Sequence, residues 1–140
     1  MNWEKKPMTR GDIVRVQVGA IWHYGICVDA DAIVQFGPNP SRWTETRDEE
    51  IVVCMSNVRD FCAGAAWEVG VPTAEEASCK RTVEEIVHAA TERIGERGYN
   101  VIHNNCEHFA YECYLGKRRS EQEEQMRAKL RALLAERAPK

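Results

Sequence analysis

The chain has 140 residues and a mass of 16.0 kDa, with 44% hydrophobic and 29% charged residues, a formal net charge of −3 and a pI near 5.8. A chain of this size can bury roughly two-thirds of the surface it exposes when unfolded, which leads us to expect a single domain over residues 1–140. The balance excludes a disordered chain and a collagen-like or heptad fibre, and its mild acidity speaks against nucleic acid, whose recognition normally needs a strongly basic face.

No apolar run approaches the roughly 18 to 20 residues needed to cross a bilayer. Met1 to Gly11 is polar and charged, so neither a signal peptide nor an anchor is expected there, and the expected location is cytoplasmic. In that reducing compartment Cys27, Cys54, Cys62, Cys79, Cys106 and Cys113, which form no C-x-x-C pair, are expected to be free thiols and mostly small buried hydrophobes.

Taken in chain order, Asp12 to Val18 alternates apolar and polar residues and reads as a strand entered through the turn Thr9-Arg10-Gly11. Gly19-Ala20 turns into a second strand, Ile21 to Val28, and Asp29-Ala30-Asp31 into a third, Ala32 to Phe36, giving an antiparallel meander. Gly37-Pro38-Asn39-Pro40 ends it, Ser41 to Glu50 reads as loop, and Ile51 to Met55 as a further strand. Ser56 to Gly70 carries no regular pattern. Thr82-Val83-Glu84-Glu85 fits a capping box, with Val83, Ile86, Val87, Ala90 and Ile94 at helical spacing behind it and Gly98 as the expected stop. A second helix runs from Asn105 or Cys106 to Gly116, and a third from Ser120 to about Arg137, opening with a capping box at Ser120 to Glu123. The third helix carries Met126, Leu130, Leu133 and Leu134 along one side. That stripe reads as core or as a homodimer contact. Its mixed charges weaken the alternative of a peripheral membrane helix. No repeat or long linker divides the chain.

The informative segment is His103-Asn104-Asn105-Cys106-Glu107-His108-Phe109. Asparagine is among the best N-cap residues, which puts Cys106 in the first helical turn, facing unpaired backbone N–H groups and the positive end of the helix dipole. Both favour a thiolate, and the same N–H groups suit the oxyanion formed when a thiolate attacks an acyl carbon. The plainer reading, a core cysteine, fits Cys113 well, since it shares a helical face with Phe109 and Ala110.

Four histidines compete for the role of base. His108 lies two residues from Cys106 and points to nearly the opposite side of a helix, while His88 falls on a polar, solvated face. His103 precedes the cap and is within reach of Cys106. His23 sits within the second strand on the face of Gly25 and Cys27, and Gln35 on the next strand falls opposite His23 or Gly25. A glutamine carbonyl accepts one imidazole N–H and frees the other nitrogen. Alone, such a histidine reads as structural; paired with a helix-capped cysteine it reads as a base. Zinc held by His103, Cys106 and His108, with His23 or Cys113, is the rival arrangement. The H-x-x-C-x-H spacing is not a usual clip and a helix would splay the ligands, so neither metal nor cofactor is expected.

The run Asn105-Cys106-Glu107-His108-Phe109, together with the His23 strand and Gly11-Asp12-Ile13-Val14 before it, resembles the lecithin retinol acyltransferase family. Tyr114-Leu115-Gly116-Lys117-Arg118-Arg119-Ser120-Glu121-Gln122 is similar to the stretch that follows the nucleophile in its phospholipid-metabolising branch, and the resemblance covers roughly Gly11 to Gln125. It implies an α+β fold with an antiparallel sheet packed against helices, in the circularly permuted papain-like order of NlpC-type hydrolases. It also implies that Cys106 takes an acyl group as a thioester with His23 as general base, and that the substrate is a glycerophospholipid or related acyl donor whose acyl group is transferred or lost to water. Two departures stand out. Gln35 occupies the third catalytic position, where animal members usually carry histidine, although a neutral amide can orient His23 as asparagine does in papain-like enzymes. Where several animal members end in a membrane-spanning tail, a charged helix is expected here. The resulting expectation is a cysteine-dependent acyltransferase or acyl hydrolase. A peptidase or amidase using the same residues and a non-catalytic binding module on the same fold are the alternatives.

Overall fold

Period-two alternation from Ile13 to Phe36 folds as the expected meander. In the computed structural model, which describes residues 1–100, 104–116 and 128–135, it forms β2 (Ile13–Val18), β3 (Ile21–Asp29) and β4 (Ala32–Phe36). The strands pair antiparallel, with Val16 opposite His23 and Gly25 opposite Gln35. The strand expected from Ile51 starts instead at Val53 and forms β5 (Val53–Ser56) beside β4, because Ile51 is taken up closing the preceding 3-10 turn through its N–H to the Asp48 carbonyl.

Two strands escaped the pattern. β1 (Asn2–Glu4) and β6 (Trp67–Val71) complete a six-stranded antiparallel sheet in the order β1-β6-β2-β3-β4-β5. Met1 to Gly11 is therefore built into the fold, and its terminal ammonium, buried, meets Glu76 at 2.7 Å. The stretch without a pattern also holds the short helix α1 (Val58–Cys62), capped by Asn57, while α2 (Ala74–Cys79) follows β6 through a Thr73–Glu76 capping box.

α3 (Val83–Glu92) opens on the expected Thr82–Glu85 capping box but stops short of Ile94. Arg93 caps it, and Gly95 at φ +94° sends its N–H to the Val53 carbonyl at 2.8 Å, which docks the helix end on β5 and leaves Ile94 exposed. Gly98 therefore plays no part in the stop. α4 (Cys106–Leu115) runs from its N-cap Asn105 to Gly116 in the left-handed conformation. Residues 128–135 are helical, and Leu130, Leu133 and Leu134 are exposed, so these leucines are not core. Ser120, Glu123, Met126 and Arg137 lie outside the described residues. No described helix is long and apolar enough to cross a membrane.

Alternation sends Tyr24, Ile26, Val34 and Phe36 to one face of the sheet, where they pack with Phe109, Ala110 and Cys113 of α4 and Ile86 and Ala90 of α3. A ten-residue helix is marginal on its own in water. α4 persists because such side chains gain roughly 1.5–3 kcal/mol each on full burial. The other face carries Val14, Val16, Ile33 and Val69 under Phe61 and Cys62 of α1.

Close packing at Gly25 tests this second layer, since a Cβ there would meet Ile33 Cγ2 at 2.6 Å and Phe61 Cε2 at 2.9 Å. Gly25→Ala is expected to lower stability by about 1–3 kcal/mol, read as a fall in the urea midpoint at constant slope. An unchanged midpoint would mean that α1 does not press on β3.

Candidate active site

The geometry is set from Gln35 outwards. Its Nε2 donates to Oδ1 of Asn39 at 2.8 Å, so its Oε1 is left to accept, and it lies 2.7 Å from Nε2 of His23. The Ser56 hydroxyl donates to the same Asn39 oxygen at 2.9 Å. His23 consequently carries its proton on Nε2 and its lone pair on Nδ1. Nδ1 is buried and has no hydrogen-bond partner among the described residues. The pair is diagonal across β3 and β4, because the residue directly opposite Gln35 is Gly25.

The His23 ring is enclosed by Phe61 at 5.2 Å and Trp43 at 5.7 Å between ring centres. Burial disfavours the imidazolium and lowers its pKa to about 4; the Gln35 hydrogen bond pulls the other way and loses. The imidazole is neutral at physiological pH.

Cys106 stands where the cap was expected, as the first residue of α4. The Asn105 side chain accepts the N–H groups of Glu107 at 3.0 Å and His108 at 3.1 Å, and the Asn105 N–H donates to His108 Nδ1 at 3.2 Å. His108 is thereby bound into the cap. The expectation of a thiolate near neutrality fails, however. Burial pushes the Cys106 thiol up to about 11, and hydrogen bonds from the backbone N–H groups of Tyr24, Glu107 and Cys106 itself offset this only in part, with the Glu107 charge adding to the rise. The magnitudes explain the outcome: a helix terminus contributes about 0.3–1 kcal/mol, up to ~2, whereas full burial can move a pKa by as much as ~3–5 units. The Tyr24 N–H is turned to the sulfur because β4 stops pairing with β3 at Gly25 and Gln35.

His23 and Cys106 line one cavity of about 70 Å³, whose walls include Trp22, Trp43, Tyr99 and Asn105. The structure thus bonds His23 to Gln35 and brings His23 and Cys106 to a common space. His88 is exposed and lies 3.3 Å from Glu92, as expected for a solvated face. His103 lies outside the described residues. Cys113 is buried in the core, and among the described residues no group of three His, Cys, Asp or Glu side chains is placed to hold a metal.

Sequence reasoning missed four contributors. Asn39 read only as part of a Gly-Pro turn, Ser56 as the start of a stretch without pattern and Trp43 as loop, and none carried a distinguishing signal. Tyr24 contributes a backbone N–H, which no side-chain pattern reports. Its hydroxyl lies between Arg15 and the buried carboxyl of Glu107, and the Arg15 guanidinium stacks on Trp3 and Trp22 at 4.3 and 3.8 Å.

A buried cysteine opening a helix, beside a buried, amide-tethered histidine, defines a site suited to nucleophilic acyl chemistry. Residues 6–119 match the family model described as lecithin retinol acyltransferase, and the chain belongs to that family. It is 25% identical over 152 residues to lecithin retinol acyltransferase of Rattus norvegicus, covering 94% of this chain and 65% of the relative, and 27% identical over 143 residues to that of Mus musculus, covering 87% and 61%. The chain thus spans a little under two-thirds of the length of these two relatives. It is 24% identical over 136 residues to phospholipase A and acyltransferase 4 of Homo sapiens, covering 91% of this chain and 80% of the relative.

Neutral burial of His23 has a pH signature. An imidazole in the unfolded chain titrates near 6.5 and this one near 4 when folded, so between those values the unfolded chain binds more protons and stability rises with pH. The contribution is complete above 6.5 and is lost as pH falls towards 4. His23→Leu is expected to flatten the slope of unfolding free energy against pH in that window. A slope equal to that of wild type would mean that His23 is charged in the fold.

Proposed function

We propose that this protein is a thiol acyltransferase or phospholipase-like acyl hydrolase in which Cys106 carries the acyl group, His23 moves the proton and Gln35 orients His23. One observation carries the reading: a buried histidine with a bare Nδ1 shares its cavity with the cysteine. Family membership and the activities for which the relatives are named support acyl lipids, glycerophospholipids among them, as donors. The order of a histidine strand before a cysteine helix supports a circularly permuted papain-like arrangement. The same reading has the protein working in the cytoplasm and meeting acyl lipids at a membrane surface.

The resting pair is a neutral thiol and a neutral imidazole, so the proton leaves Cys106 during attack and not before it. The sulfur adds to the ester carbonyl carbon while its proton passes to Nδ1 of His23, and the carbonyl electron pair moves onto oxygen. Of the N–H groups that meet the sulfur, that of Glu107 is held by the Asn105 side chain, which leaves those of Cys106 and Tyr24 as donors for that oxyanion. Collapse breaks the bond to the leaving alcohol, which takes the proton from Nδ1. Water or an acceptor amine or hydroxyl then gives a proton to Nδ1 as it attacks the thioester, and Cys106 recovers its proton on leaving. Throughout, Nε2–H stays on Gln35 and holds the ring in register.

The protonated thiol favours a second reading, a binding module on the same fold. Slow alkylation of Cys106 at neutral pH is expected on both readings, so turnover separates them.

Intact-protein mass spectrometry after incubation with a short-chain phospholipid is expected to show an acyl adduct that is absent in Cys106→Ala and forms about 10²–10⁴-fold more slowly in His23→Ala. Gln35→Ala is expected to lose activity while keeping its fold. Absence of an adduct from lipids, peptides and activated esters alike would leave the binding module. A further expectation concerns pH: kcat/KM should fall on the acid side near pH 4, where His23 takes up a proton. An acid limb near the ordinary imidazole value of 6.5 would remove His23 as a buried base.

A further inference from the structure

Glu107 follows Cys106 in the first turn of α4 and is only 1% exposed, yet the proposed proton transfers make no use of it. An acidic side chain favours a helix N-terminus from the surface as well, so the dipole does not account for its burial. A buried carboxylate is costly unless it is hydrogen-bonded, which makes its partner informative. Glu107 accepts a hydrogen bond from the Tyr24 hydroxyl, whose oxygen accepts in turn from the Arg15 guanidinium. Strand register builds this line. Arg15 stands opposite Tyr24 across β2 and β3, and opposite Glu68 across β2 and β6. Glu68 Oε1 takes its Nη2 and Nε at 2.8 and 2.9 Å. The Tyr24 ring is 2% exposed and packs against Trp3 and Tyr111 at 5.7 and 6.3 Å between ring centres.

Tyr24 therefore grips α4 at two successive residues. Its backbone N–H reaches the Cys106 sulfur, and its hydroxyl, at the far end of the ring, reaches the Glu107 carboxyl. One contact alone would let the end of the helix pivot. Two contacts separated by the length of a tyrosine side chain fix how the first turn of α4 faces β3.

We propose that Glu107 is a positioning residue: by holding the Tyr24 hydroxyl it keeps the Tyr24 N–H and the Cys106 sulfur in the register that the oxyanion needs. The inference rests on the acyl-transfer reading above, in which that N–H is one of the two oxyanion donors. Glu107 touches neither the ester nor the travelling proton and acts through Tyr24, which Arg15 holds from the other side.

The test compares two reactions of Cys106 in the full chain: acylation by para-nitrophenyl acetate, which passes through an oxyanion, and alkylation by iodoacetamide, which does not. Both are read as mass added to the peptide that carries Cys106. Tyr24→Phe removes the hydroxyl and keeps the ring and the N–H; Glu107→Ala removes its partner. Each is expected to lower the maximal acylation rate by at least about tenfold, against about 10²–10³-fold where an oxyanion donor is lost outright. The half-saturating ester concentration should change little. Alkylation should stay at least as fast as in wild type, since the sulfur remains in place and Glu107→Ala removes a negative charge beside it. Both changes break one tie, so the double variant should be no slower than the slower single one. Acylation and alkylation falling in the same proportion would show a general loss of structure and overturn the proposal. Acylation at the wild-type rate in either folded variant, losses that multiply in the double variant, or a Tyr24→Phe chain that does not fold would overturn it too. If Glu107→Ala alone fails to fold, Tyr24→Phe decides. Should no acyl mass appear on wild-type Cys106 from this ester or from a phospholipid, the acyl-transfer reading itself falls, whereas the other outcomes remove only the role of Glu107.

Discussion

The hydrogen bond between Gln35 and His23 makes one imidazole nitrogen a donor and thereby leaves the other with its lone pair, and much of the fold serves to hold that bond at 2.7 Å in a dry place. It depends on register. Shifting β4 by one residue against β3 would send Gln35 to the face occupied by α4 and bring Val34 or Phe36 to His23. The two-residue turn at Ala30-Asp31 and the irregularity between Cys27 and Asp29 therefore decide whether His23 and Gln35 meet. Gly25 contributes by absence, since any side chain there would strike Ile33 and Phe61 and disturb the ring that covers His23.

At Cys106 two effects of the same fold oppose each other. Capping brings N–H groups to the sulfur, and packing α4 against the sheet strips water from it. Packing wins in the resting protein because a dipole at a helix end is weak beside the loss of hydration by a localised charge. On the proposed mechanism this is no defect. The N–H groups that fail to ionise the thiol are already in place to receive charge once a carbonyl enters, and a proton that travels during attack needs no ion pair beforehand.

The sequence revealed the parts of this arrangement whose signals are local. The β2–β4 meander showed because its alternation is continuous, and the caps of α3 and α4 because Thr82, Glu85 and Asn105 act within one turn. His23, Gln35 and Cys106 followed from those two patterns together. β1 and β6 were not legible, since a three-residue strand has no period to read and Trp67–Val71 is a strand only because β2 lies beside it. The end of α3 was misread because Ile94 keeps the helical spacing while its turn is claimed by β5. The state of the thiol was invisible for a different reason. Its cap is a property of neighbours in sequence, but its burial is a property of residues eighty or more positions away, such as Tyr24.

Gln35 also explains why Asn39 matters. An amide is almost symmetric in shape, so nothing in its own packing prevents it from turning over and presenting its NH₂ to His23. That orientation would force Nε2 to carry the lone pair and Nδ1 the proton, which on the proposed mechanism would leave no base for Cys106. In the structure the Gln35 NH₂ donates to the Asn39 oxygen, the arrangement that leaves Oε1 towards His23. On the proposed mechanism Gln35 stands where animal members of the family usually have histidine, which can exchange donor and acceptor by changing tautomer and can also take up a proton. Glutamine can do neither. With its amide anchored by Asn39, Gln35 offers His23 the same acceptor whatever the pH.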